Sequence, residues 1–107
     1  MAEQSRCLMK LEEIPPGESR LVQIDGKEAA LFNVEGHLYA VGNRCPHRSG
    51  PLVKGRIETV PDTNVLALRC PLHGWLFELA TGRCLTRPGA DISSYPVICQ
   101  DSEVCLG

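Results

Sequence analysis

Apolar and polar residues roughly alternate over residues 19–24, an Asp25-Gly26 pair interrupts them, residues 28–34 run on as an extended stretch, and Glu35-Gly36 interrupts again before residues 37–41. A period near two, broken by an acidic residue followed by glycine, predicts antiparallel strands joined by tight turns. With Glu35-Gly36 as a two-residue loop, positions equidistant from it face one another, which sets Phe32 opposite Tyr39 and Ala30 opposite Val41. Further strands are predicted at residues 64–69, 75–79, 95–100 and 104–106, with turns at Thr81-Gly82 and Arg87-Pro88-Gly89. Helical spacing is confined to one turn within residues 9–14, which Pro15-Pro16-Gly17 stops. Short strands punctuated by glycine and proline predict an all-β fold, an antiparallel β sandwich or partly open barrel.

Length adds that residues 1–107 suit a single domain, and hydrophobic residues at 43% are enough to bury one core. Within it, residues of about 43–85 read as an insert, because two proline-containing cysteine-histidine loops bracket them. A net charge of -2 offers no basic stripe for phosphates, and aromatic residues at 5% offer few stacking platforms, so nucleic acid is not an expected partner. No run approaches the roughly 20 apolar residues of a membrane helix, and the first residues lack the apolar middle of a signal peptide. The expectation is a cytoplasmic protein with no membrane partner. Six cysteines in that reducing compartment point to metal or redox chemistry rather than a disulfide scaffold.

The two loops are Cys45-Pro46-His47 and Cys70-Pro71-Leu72-His73. Two thiolates and two imidazoles on short turns form a complete four-ligand set; proline stiffens each turn, and Gly50 and Gly74 let backbone amides approach the sulfurs. The same donors also suit tetrahedral zinc, although zinc sites favour Cys-x2-4-Cys clips and neither loop has one. Cys-x-His, then Cys-x-x-His followed by Gly74-Trp75-Leu76-Phe77, resembles the cluster-binding signature of the Rieske family of iron-sulfur proteins. More weakly, the likeness takes in the Gly36 hairpin, Gly50-Pro51-Leu52, Thr81-Gly82 and Tyr95-Pro96-Val97.

That resemblance implies a Rieske-like fold with an inserted cluster-binding subdomain and one [2Fe-2S] cluster per chain, one iron on Cys45 and Cys70 and the other on His47 and His73. Neutral imidazoles in place of two anionic thiolates make electron uptake easier than in an all-cysteine ferredoxin. Gly50 and Leu72 stand where high-potential members carry two loop-tying cysteines, and Trp75 and Phe77 stand where those members place hydroxyl donors to the cluster sulfurs. Without such donors the reduced state is less stabilised, so the resemblance implies a low-potential carrier. Only His37 remains once His47 and His73 are assigned, too few for the two-histidine, one-carboxylate iron of an oxygenase.

The expected function is a soluble one-electron carrier between a flavin reductase and a terminal oxygenase, an electron-transfer component with no small-molecule substrate and no complete enzymatic activity alone. The alternatives are a small subunit of an NAD(P)H-dependent nitrite reductase, which the run from Cys45 to Leu52 would suit, and a zinc-stabilised interaction module. Partners should dock on a tip centred on His47 and His73 and including Pro46, Arg48, Leu52, Pro71 and Leu72. His37 is expected at the surface, and Cys7, Cys84, Cys99 and Cys105 in the core as reduced thiols. Cys99 and Cys105 lie symmetrically about Ser102, so a terminal hairpin is expected to bring those two close.

Overall fold

The computed structural model describes residues 7–46, 50–72 and 74–107. Three antiparallel sheets form from β1 (Cys7–Lys10), β2 (Ser19–Ile24), β3 (Lys27–Val34), β4 (His37–Gly42), β5 (Arg56–Thr59), β6 (Leu66–Arg69), β7 (Leu76–Glu78), β8 (Ser94–Tyr95), β9 (Val97–Gln100) and β10 (Glu103–Leu106). The fold is all-β with an open sheet arrangement, as the patterning predicts; the helical content among the described residues is 3-10 turns at Leu11–Glu13 and Leu52–Lys54.

The middle sheet has the order β2-β3-β4-β8, and its hairpins close as their turn residues dictate. Asp25 and Gly26, like Glu35 and Gly36, all have positive φ, the type I′ geometry whose twist matches the flanking strands. Register follows from that turn: Phe32 faces Tyr39 and Ala30 faces Val41. In β3, Ala29 and Leu31 pack with Ile14, Val22, Ile24 and Val104 on one side, while Ala30 and Phe32 pack with Cys45, Leu68, Cys70 and Phe77 on the other. Both faces of β3 are therefore covered, which is why its apolar residues run on without alternation.

The terminal sheet, β1-β10-β9, covers the first face, and β5-β6-β7 belongs to the second. The stretch 95–100, expected as one strand, divides at Pro96: Tyr95 pairs with Ala40 in the middle sheet, whereas Val97 pairs with Leu106 in the terminal one. Proline supplies no N–H to a ladder, so the chain changes sheets there at little cost in hydrogen bonding. β1 and β5 have no counterpart in the sequence-predicted strands.

The cysteines require a correction. Cys7 and Cys105 form a disulfide, and Cys99, expected in the core beside Cys105, is exposed. The last hairpin turns about Asp101-Ser102, both at positive φ, so Cys99 faces Val104 and Cys105 faces Ile98. A turn centred one half-step earlier than Ser102 shifts the register by one residue and moves each partner to the other face. On its opposite edge, Cys105 meets Cys7 directly. Cys84 is buried and His37 exposed, as expected.

Candidate metal centre

The first ligand loop is pinned at its base by Asn43, a buried polar residue just beyond the apolar end of β4. Its main-chain carbonyl accepts from the Leu52 N–H at 2.7 Å and its side-chain Oδ1 from the Val53 N–H at 2.7 Å, so the segment returns to its starting point. Inside that clamp the Cys45 N–H donates to the Gly50 carbonyl at 3.0 Å. The second loop closes in the same way: Cys70 N–H donates to the Trp75 carbonyl at 2.8 Å, and Gly74 N–H donates to the Cys70 carbonyl at 3.2 Å. Gly74 is at φ +76, a conformation β-carbon sterics disfavour.

The loops meet. A β-carbon on Gly50 would stand 2.9 Å from Cys70 Sγ and 3.1 Å from Leu72 Cγ, so glycine is the residue that lets the first loop approach the second sulfur. Cys45 is 1% exposed and Cys70 4%, and both pack in one core cluster with Leu52, Leu68 and Phe77. Two buried cysteines on touching, backbone-braced loops suit a metal-sulfur centre whose charge is delocalised and whose surroundings are apolar. His47, His73 and Arg48 lie outside the described residues, so Cys45 and Cys70 are the predicted ligands the structure brings together. Among the described residues, one group of three metal-type donors lies within 4.8 Å of one another, Cys7, Glu103 and Cys105, and its two sulfurs are bonded to each other.

Around this pair, Pro46, Pro71 and Leu72 are exposed, with Leu72 at 51%. Leu52 corrects the expected tip: it opens the 3-10 turn and is fully buried in the core behind the loops. Phe77, where high-potential relatives were expected to place a hydroxyl, is also fully buried. The Arg87 guanidinium lies 5.0 Å from the centroid of the Trp75 ring, a cation-π contact on the edge of the second loop.

Two charged residues near the loops escaped the sequence reading. Arg69 ends β6 immediately before Cys70; its Nε donates to Glu58 Oε2 and its Nη1 donates to the Gly74 carbonyl at 3.1 Å. The Arg69 hydrogen bond is the main reason the Glu58 carboxyl is held below its ordinary value of 4.5; partial burial opposes it, and the charges of Arg69 and Arg56 add to it. That stabilisation is present above the ordinary carboxylate range and fades as pH falls below it. No local signal marks the pair, because it exists only once β5 and β6 are side by side.

The described residues thus form an antiparallel β scaffold that carries two buried cysteines on braced, touching loops, an arrangement suited to a small metal-sulfur protein. The chain belongs to the Rieske [2Fe-2S] domain family, whose model matches residues 4–96. One [2Fe-2S] cluster per chain accompanies that membership. The naphthalene 1,2-dioxygenase/salicylate 5-hydroxylase systems ferredoxin component of Ralstonia sp is 37% identical over 97 residues, 90% of this chain and 88% of that protein. The naphthalene 1,2-dioxygenase system ferredoxin component of Pseudomonas aeruginosa is 36% identical over 107 residues, 99% of this chain and 97% of that protein. A solved structure named as a nitrite reductase NADPH small subunit superposes with a TM-score of 0.89 at 23% identity, covering 98% of this chain and 99% of its own.

Proposed function

We propose that this chain is the ferredoxin component of a dioxygenase-type system, a one-electron carrier that takes electrons from a flavin reductase and delivers them to a terminal oxygenase. The observation that carries the reading is the end-to-end similarity to naphthalene dioxygenase ferredoxin components in a chain whose first loop approaches the buried Cys70 sulfur at Gly50. The nitrite reductase likeness, at 23% identity, supports the fold alone. The cluster supplies reversible uptake of one electron. Cys45 and Cys70 hold one iron in this reading, and His47 and His73 hold the other. Residues 1–107 act as one domain, with residues of about 43–85 as the cluster-binding insert; the separate β5-β6-β7 sheet and the two closed loops support that division.

A cytoplasmic location fits the reading: among the described residues no helix is long and apolar enough to cross a membrane. There the Cys7–Cys105 bond has to resist the glutathione pool, as structural disulfides with potentials below about -300 mV do.

Trp75 and Phe77 in place of hydroxyl donors leave the reduced state less stabilised. The midpoint should therefore fall at the low end of the Rieske range, roughly -150 to 0 mV. Protein-film voltammetry checks this, and a value above about +150 mV contradicts the sulfur hydrogen-bond argument.

Electrons pass where the loops approach the surface, so the exposed Pro46, Pro71 and Leu72 supply the docking patch. Contacts of this class stay below about 1,200 Å², since the carrier must release one partner to meet the next. Leu72→Asp, which places a charge on that apolar patch, should slow electron delivery to the oxygenase roughly tenfold even at high salt, with an unchanged visible spectrum. Stopped-flow transfer assays with a naphthalene dioxygenase-type reductase and oxygenase test it. Equal rates for Leu72→Asp and wild type move docking elsewhere, and co-purification with a large flavin- or haem-containing partner favours the permanent subunit.

A further inference from the structure

Arg69 is the last residue of β6, and Cys70 follows it. The second loop is closed internally by main-chain bonds between Cys70 and both Gly74 and Trp75, while Arg69 Nη1 grips the Gly74 carbonyl at 3.1 Å through a side chain rooted in the sheet. Its Nε is occupied by Glu58, so the planar guanidinium spans from β5 to the loop in a fixed orientation. A β-carbon on Gly74 would lie 3.2 Å from Nη1, so the arginine sits directly over that backbone. Arg56 faces Arg69 across the β5-β6 pair, and Glu58, two residues further along β5, is the carboxylate next to both cations. Both members of the Arg69–Glu58 pair are partly exposed, at 42% and 33%, an arrangement in which a surface ion pair alone contributes little to stability.

We propose that Arg69, held by Glu58, is a positioning residue for the second ligand loop, and that the pair sets the electrostatic environment, and hence the reduction potential, of the centre on that loop. This rests on the reading of the chain as a Rieske cluster carrier. Its signature is a difference in sign. A purely mechanical brace loosens the loop equally when either partner is removed. A charge adjacent to a centre that becomes more negative on reduction shifts the potential upward when positive and downward when negative. Glu58→Gln leaves Arg69 and Arg56 uncompensated and should raise the midpoint. Arg69→Gln leaves Glu58 beside the loop and should lower it. Arg69→Lys keeps the charge without the two-pronged reach, so its midpoint should stay closer to wild type while the loop loosens.

The test uses the cluster-loaded full chain, with midpoint potential by voltammetry, the EPR spectrum of the reduced protein, and the rate at which visible absorbance bleaches in a ferrous chelator. The expected outcome is opposite midpoint shifts for Glu58→Gln and Arg69→Gln, with roughly tenfold faster bleaching in Arg69→Gln and Arg69→Lys, the scale on which supporting partners affect metal retention. Shifts of the same sign, or wild-type potentials and bleaching in all three variants, overturn the proposal. If Arg69→Gln fails to hold a cluster, Glu58→Gln and Arg69→Lys still decide it. A wild-type protein without iron and sulfide refutes the cluster reading instead, an outcome separable from failure of the pair.

Discussion

Alanine at Cys45 or Cys70 should abolish the visible chromophore and leave a folded, iron-depleted protein. In the proposed assignment each sulfur is one of two thiolates on the same iron, and the geometry offers no substitute: both are buried, and the remaining sulfurs lie elsewhere, Cys7 and Cys105 in the disulfide and Cys99 on an exposed strand. Cys84 shares the core cluster but sits opposite Phe77, with its sulfur accepting the Arg87 N–H at 3.3 Å and contacting the Thr86 hydroxyl at 3.6 Å. Loss of one ligand from a four-ligand centre costs the whole centre rather than a fraction of it, so occupancy should drop at least a hundredfold. Iron and acid-labile sulfide analysis with the visible spectrum reads the result; alanine at His47 or His73 should behave alike, whereas serine at Cys84 or Cys99 should retain the colour. A coloured Cys70→Ala protein with full iron would remove the assignment.

Breaking the Cys7–Cys105 bond should lower stability by about 4 kcal/mol, because the closed loop is long, with a sequence separation of 98. Its absence frees the two ends of the chain in the unfolded state, and the cost falls on β1 and β10, whose packing through Val104, Leu8 and Met9 covers one face of the middle sheet. Against a typical total of 5–15 kcal/mol this is a large fraction. Urea unfolding of the oxidised protein, the Cys7→Ser/Cys105→Ser double variant and the dithiol-treated protein checks it. The cluster spectrum in the folded state should not change, since the bond lies in the terminal sheet and the ligand loops pack on the other face of β3. Superimposable unfolding curves, or six titratable thiols in the unreduced, denatured protein with the cluster removed, would overturn the bond.

Turn chemistry and ligand spacing act over a few residues, and they are legible in the sequence alone. Asp25-Gly26 and Glu35-Gly36 admit the positive φ of a type I′ turn, and that alone sets Phe32 against Tyr39 across β3 and β4. The ligand motifs needed no fold either, since each joins residues no more than three positions apart. Long-range pairing was different. Whether Leu52 faces solvent or core depends on Asn43 drawing the end of the first loop back beneath it. The sequence predicts residues 95–100 as one strand, and its division at Pro96 between two sheets was settled by the edges that β4 and β10 left open. Cys105 carries no local sign of its partner: a single residue of register at Asp101-Ser102 sets Cys99 against Val104, and Cys7 arrives from the far end of the chain. Arg69 and Glu58 meet only because β5 lies beside β6. Backbone sterics and short spacings determine what neighbours in sequence do; the choice among distant partners belongs to the burial of whole faces, a property of the assembled sheets and not of any one segment.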